Sequence, residues 1–103
     1  MWAQLISARL KPGEEHDVTT LARQLEAVEQ PGSGLVRSTF MQDQNDPNRV
    51  YVMVVFDTEE HARAREQDPR RQEGLTVVMA TMAEMLDGPP EFTDLVVVSD
   101  LVV

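Results

Sequence analysis

Apolar residues alternate loosely from Trp2 to Leu10, with Trp2, Ile6, Ala8 and Leu10 on one side and Ala3, Leu5, Ser7 and Arg9 on the other. This predicts a strand closed by Pro12-Gly13. From Glu14 to Gln30 the period changes: Val18, Leu21, Ala22, Leu25 and Val28 recur at helical spacing, with Glu14, Glu15 and Asp17 set toward the positive end of the helix dipole. Pro31-Gly32-Ser33-Gly34 stops that helix. Leu35 to Asp43 predicts a second strand, joined through the turn-rich Asp43-Gln44-Asn45-Asp46-Pro47-Asn48 to a β-favouring run from Arg49 to Phe56, so that the two form a hairpin. Asp57 or Thr58 suits the cap of a helix starting at Glu59, and Asp68-Pro69 supplies a second start, which predicts a broken helix. Its later part carries Leu75, Val78, Met79, Met82, Met85 and Leu86 on one stripe. Asp87-Gly88-Pro89-Pro90 ends it, and Phe92 to Val103 makes a last, very apolar strand.

The order βαββαβ is that of a ferredoxin-like α+β fold, an antiparallel four-stranded sheet with its helices on one face. The 103 residues form a single domain, 1–103. The helix-facing side is expected to hold Ile6, Ala8, Val36, Phe40, Val50, Val52, Val54 and Phe56. The other side is expected to hold Ala3, Leu5, Leu35, Met41, Tyr51, Met53, Val55, Leu95, Val97 and Leu101. That second face is too apolar to meet water, so a homodimer is expected, with Leu5, Tyr51, Met53, Val55, Leu95 and Val97 at the interface. At about 1.5 to 3 kcal/mol for each large apolar side chain buried, covering it yields on the order of 10 kcal/mol per subunit before the cost of association.

Charge narrows the partners. Eighteen acidic against nine basic residues give a net charge of −9, which disfavours nucleic acid and anionic membrane surfaces. Arg63, Arg65, Arg70 and Arg71, interleaved with Glu66, Asp68 and Glu73, read as a solvated helix face. With no cysteine the chain has no thiolate chemistry and no Cys-based metal site. The N-terminus shows no basic leader followed by an apolar stretch, and no segment reaches about 18 consecutive apolar residues, so no membrane association and a cytoplasmic location are expected. Gly32-Ser33-Gly34 precedes a strand rather than following one and is no dinucleotide fingerprint. The acidic turn at Asp43 has neither the central glycine nor, at Val54, the closing glutamate of a calcium loop. No metal site is expected.

The layout resembles the dimeric α+β barrel superfamily and, within it, the antibiotic biosynthesis monooxygenase family. The residues that carry the resemblance are Leu10-Lys11-Pro12-Gly13 after the first strand, Pro31-Gly32 before the second, Asp46-Pro47 in the hairpin, and Val55-Phe56-Asp57-Thr58-Glu59-Glu60-His61-Ala62 leading into the second helix. The resemblance implies two ferredoxin-like sheets paired into a barrel. It also implies oxidation of polycyclic phenols without metal or flavin, the substrate's own electron-rich anion reacting with oxygen in an apolar pocket between sheet and helices. Two departures bear on function: the family often has tryptophan where Phe56 stands and histidine where Arg65 stands. Haem-degrading relatives place an asparagine, a tryptophan and an iron-ligating histidine at positions that align with Ile6 or Ser7, Arg65 and Leu75. Leucine has no lone pair to offer iron, so haem degradation is disfavoured.

Such a site needs shape, desolvation and a group that stabilises an oxyanion or moves a proton. Phe40, Phe56, Met79 and Met82 are the expected pocket wall and Ser38 a polar contact, with Arg65 as charge stabiliser and His61 as proton carrier. The same residues also have a packing reading, in which the methionines and phenylalanines are core and His61, behind Glu59 and Glu60, is surface. Three functions follow: a cofactor-independent monooxygenase acting on an aromatic or polyketide-like molecule, a non-catalytic homodimer that binds a small hydrophobic ligand or serves a stress or biosynthetic pathway, and a lyase, isomerase or cyclase on the same scaffold.

Overall fold

The computed structural model describes residues 1–103. Its elements are β1 (Trp2–Arg9), α1 (Val18–Ala27), β2 (Leu35–Gln42), β3 (Arg49–Phe56), α2 (Glu59–Glu66), α3 (Pro69–Met85) and β4 (Glu91–Val96). The strands form one antiparallel sheet in the order β2-β3-β1-β4. This is the ferredoxin-like α+β arrangement, with its second helix broken in two. The break lies where the local chemistry put it. Thr58 Oγ1 accepts from the His61 amide at 3.1 Å to start α2, and Asp68 Oδ1 accepts from the Arg70 amide at 2.9 Å to start α3, with Pro69 in the first helical position.

Three expectations are corrected. The first helix begins at Val18, not Glu14, and no acidic residue lies in its first turn. The Glu14 amide instead donates to the Lys11 carbonyl and the Asp17 amide to the Glu14 carbonyl in two successive turns, while the Glu15 carboxylate accepts from the Gly13 amide at 2.8 Å and from Asn48 Nδ2 at 3.2 Å. The Glu15 carboxylate thus ties the loop to the hairpin at Asn48, a local acceptor role that wins over placement at the helix dipole.

The second correction concerns β2. Leu35 pairs with Phe56 and Arg37 with the adjacent Val55, so Val36 is an extra residue in a bulge. Because sides alternate with every residue, that insertion turns Leu35 inward against Trp2 and Phe56 and leaves Val36 56% exposed, the reverse of the expected faces. Third, the last strand stops at Val96, opposite Trp2 at the very start of β1. Beyond it Val97 donates to the Met1 carbonyl, and residues 98–103 find no strand to pair with, so Leu101 is exposed rather than part of a sheet face.

Between sheet and helices two buried clusters form the core. Leu10, Leu21, Val28, Val50, Val78 and Met85 pack at one end, and Trp2, Val54, Phe56 and Ala62 at the other. Burial of such side chains is the main stabilising contribution, about 1.5 to 3 kcal/mol each. On the opposite face of the sheet Leu5, Tyr51, Met53, Val55 and Leu95 are half-buried by their neighbours alone. No helix of the structure is long and apolar enough to cross a membrane.

Candidate functional site

The two core clusters do not fill the space between sheet and helices. They enclose a cavity of about 450 Å³ whose wall is mostly apolar, a volume in the range of small-molecule sites. Even-numbered residues of β1 and β3, facing inward by strand alternation, make one side, and α1 and α3 make the other. Phe56, 3% exposed, lies deep in the wall, whereas Met79 at 65% and Phe92 at 58% line the cavity while facing solvent and so mark its mouth.

Ser38, Phe40, Phe56, Arg65, Met79 and Met82 all line this cavity. His61 does not. It stands outside the wall with half its side chain exposed, its Nδ1 2.7 Å from Asp57 Oδ1. The His61 hydrogen bond, assisted by the Thr58 amide, holds the Asp57 carboxyl below its usual range against the opposing effect of burial. Gly34, at φ +82°, lies against this pair, and any side chain there would collide with Asp57 and His61.

The polar end of the cavity is built around Arg65, whose side chain is 16% exposed. Its Nε and Nη2 fork onto the Glu29 carboxylate, Nη2 at 2.7 Å from Oε2 and Nε at 2.9 Å, while the guanidinium lies 5.3 Å from the centre of the Phe56 ring. Arg65 Nη1 is left without a protein partner. Ser33 Oγ donates to Glu29 Oε1 at 2.7 Å. Burial pushes the Glu29 carboxyl up, but the hydrogen bonds from Arg65 and Ser33 and the charges of Arg65 and Arg71 outweigh it and leave the group lower than an ordinary glutamate.

A second network lies on the outer side of Trp2, behind the cavity wall. Arg63 reaches from α2 to Asp94 on β4, Nη2 to Oδ2 at 2.9 Å, and lies 4.9 Å from the Trp2 ring centre; Gln4 Nε2 donates to the other oxygen of Asp94 at 3.0 Å. The arginine-rich segment is therefore not one solvated face: Arg70 is exposed and pairs locally with Asp68, and Arg63, also exposed, pairs with Glu59 and Glu66. Arg63 bridges helix to sheet, and Arg65 and Arg71 turn into the cavity wall. Sequence reasoning passed over Glu29 and Gln4 and set Arg71 on the solvated face, whereas it lines the cavity half-buried. For Arg71 a signal existed: with Leu75, Val78 and Met82 it recurs at helical spacing on the apolar stripe of α3.

Of the expected interface residues, Leu5, Tyr51, Met53, Val55 and Leu95 share the outer face of the sheet, and Val97 lies one residue past its end. The Tyr51 hydroxyl accepts from Arg49 Nε at 2.7 Å on that face.

Comparison with known proteins agrees with this architecture. A family model for antibiotic biosynthesis monooxygenases matches residues 1–76. No curated protein matches the chain. Among solved structures, SnoaB of Streptomyces nogalater, described as a cofactor-independent oxygenase, superposes with a TM-score of 0.72 at 16% identity over 97% of this chain and 95% of its own. A Nitrosomonas europaea protein provisionally named an antibiotic biosynthesis monooxygenase gives a TM-score of 0.74 at 17% identity, covering 96% of this chain and all of its own. A similarly named Chloroflexus aurantiacus protein gives 0.68 at 22% identity over 99% and 98% of the two chains. At these identities the superpositions speak for the fold, and the matched family model carries the assignment: the chain belongs to the antibiotic biosynthesis monooxygenase family.

Proposed function

We propose that the chain is a cofactor-independent monooxygenase that takes an aromatic or polyketide-like phenol into the cavity between sheet and helices. The observation that carries this reading is an open, largely apolar cavity of about 450 Å³ with a half-buried, carboxylate-anchored arginine at one end, in a member of this family. In the reaction one atom of O₂ becomes the new carbonyl of a quinone. The other leaves as water with the phenolic hydrogen and the displaced ring hydrogen, so the substrate supplies all the electrons. The apolar wall excludes water from the phenolate and its oxygen adduct, and the Arg65 charge, fixed by Glu29, opposes the developing oxyanion without having to reorganise. His61 stands off the cavity wall and carries no step of this reading.

Incubation with a tricyclic anthrone under air tests this, read by quinone absorbance and oxygen uptake. Turnover is expected, with Arg65→Met lowering kcat by about 10² or more, the usual loss for an oxyanion-stabilising group. Tight binding of the anthrone with no oxygen uptake would overturn it in favour of a non-catalytic ligand-binding protein.

The same reading includes a homodimer, with the sheets of two copies face to face through Leu5, Tyr51, Met53, Val55 and Leu95, and Val97 at the margin. What supports it is the side of the sheet opposite the helices, where these residues are covered by no other element of the chain.

A further inference from the structure

Five charged side chains line the cavity: Glu26, Glu29, Arg65, Glu66 and Arg71. Glu26 is exposed to water; Glu29 is held by Arg65 and Ser33, and the exposed Glu66 by Arg63 Nη1 at 3.3 Å. Arg71 alone is half-buried and unpaired. No side chain accepts from its guanidinium, and its Nε has neither solvent nor a hydrogen-bond partner. Burial, reinforced by the neighbouring Arg65 charge, lowers its hold on its proton, and Glu29 and Glu66 offset this only from a distance. A half-buried guanidinium beside Leu75, Val78 and Met82 with no protein acceptor disfavours the empty protein; Nε lies too deep to be reached from the cavity, and the terminal nitrogens are the donors left to meet a ligand. Where a side chain breaks the packing rule without an internal partner, the partner to look for is a ligand.

We infer that Arg71 is the anion-binding residue of the cavity and makes it select apolar aromatic anions over neutral molecules of the same shape. This rests on the ligand pocket proposed above but assigns the specificity to a residue of α3 rather than to Arg65, whose fork is committed to Glu29. A carboxylate, sulfonate or phenolate oxygen accepts from the terminal nitrogens of Arg71 while the aromatic body lies against Phe40, Phe56 and Met82. A chain with a net charge of −9 does not draw anions by its overall field, so their recognition depends on this local cation.

Two fluorescent probes with one skeleton separate charge from shape: the anion 1-anilinonaphthalene-8-sulfonate and the neutral N-phenyl-1-naphthylamine. Arg71→Met is expected to weaken the anion about tenfold, equivalent to about 1.4 kcal/mol, and to leave the neutral probe within about twofold. Arg71→Lys retains most of the anion's affinity. Unliganded Arg71→Met is expected to unfold at the wild-type temperature or above it, because it removes an unpaired charge; a purely structural arginine would lower that temperature. Equal losses for both probes, no loss for the anion, or a lowered unfolding temperature would each overturn the assignment. If the neutral probe binds and only the anion arm fails, the assignment falls and the pocket stands. If neither probe binds the wild-type protein, both fall.

Discussion

The α carbon of Gly74 on α3 faces Val28 at the end of α1 so closely that a methyl group there would overlap Val28 Cγ1. The contact brings the two helices together beside the cavity, and its backbone angles place no special demand on glycine. Gly74→Ala therefore sets a steric cost of about 1 to 3 kcal/mol against a helix-propensity gain of about 1 kcal/mol. A net loss in chemical denaturation is expected. Val28→Ala in the same chain should recover part of it, a coupling visible in the double-mutant cycle.

Acid should weaken the protein through Glu29. Its carboxyl is lower in the folded chain than in an unfolded one, so its contribution to stability is complete above the ordinary glutamate range and is lost as pH falls through the depressed folded value. Glu29→Gln should flatten that part of the pH–stability profile, measured by urea unfolding between about pH 6 and pH 3. A profile unchanged by the substitution would remove Glu29 from the account.

Trp2 is the only tryptophan, 6% exposed, on the cavity wall and under the Arg63 guanidinium. Arg63→Ala removes both that cover and the link to Asp94, and should shift tryptophan emission to longer wavelength with a stability loss of about 1 kcal/mol. Asp94→Asn keeps a hydrogen-bonding group for Gln4 and Arg63 and should shift it less.

Assembly is the prediction with the largest expected effect. Met53→Asp places a carboxylate at the centre of the outer sheet face, where burial without a partner costs several kcal/mol, and should shift sedimentation toward monomer. Glu84→Lys, on the exposed side of α3, should change stability by about 0.5 kcal/mol or less and leave the sedimentation profile alone. A wild-type protein that sediments as a monomer at micromolar concentration would end the dimer reading.

What could be read from the residues alone was whatever acts within a turn or two of the chain. The loose alternation of β1, the β-favouring run of β3, the caps at Thr58 and Asp68, the proline at position 69 and the turn at Asp46-Pro47 each depend on neighbours a few residues away, and the fold class follows from their order. Tertiary structure decided the rest. One extra residue in β2 inverted Leu35 and Val36, because alternation carries no memory of an insertion. Of four arginines in one acidic stretch, Arg65 and Arg71 turned inward and Arg70 outward, since the angle at which α2 and α3 meet is set by packing against α1 and the sheet. Glu29 meets Arg65 across 36 positions of sequence, and the cavity exists because the two clusters on either side of it do not close over the gap. Such pairings depend on where whole elements come to rest, and no short-range pattern encodes that.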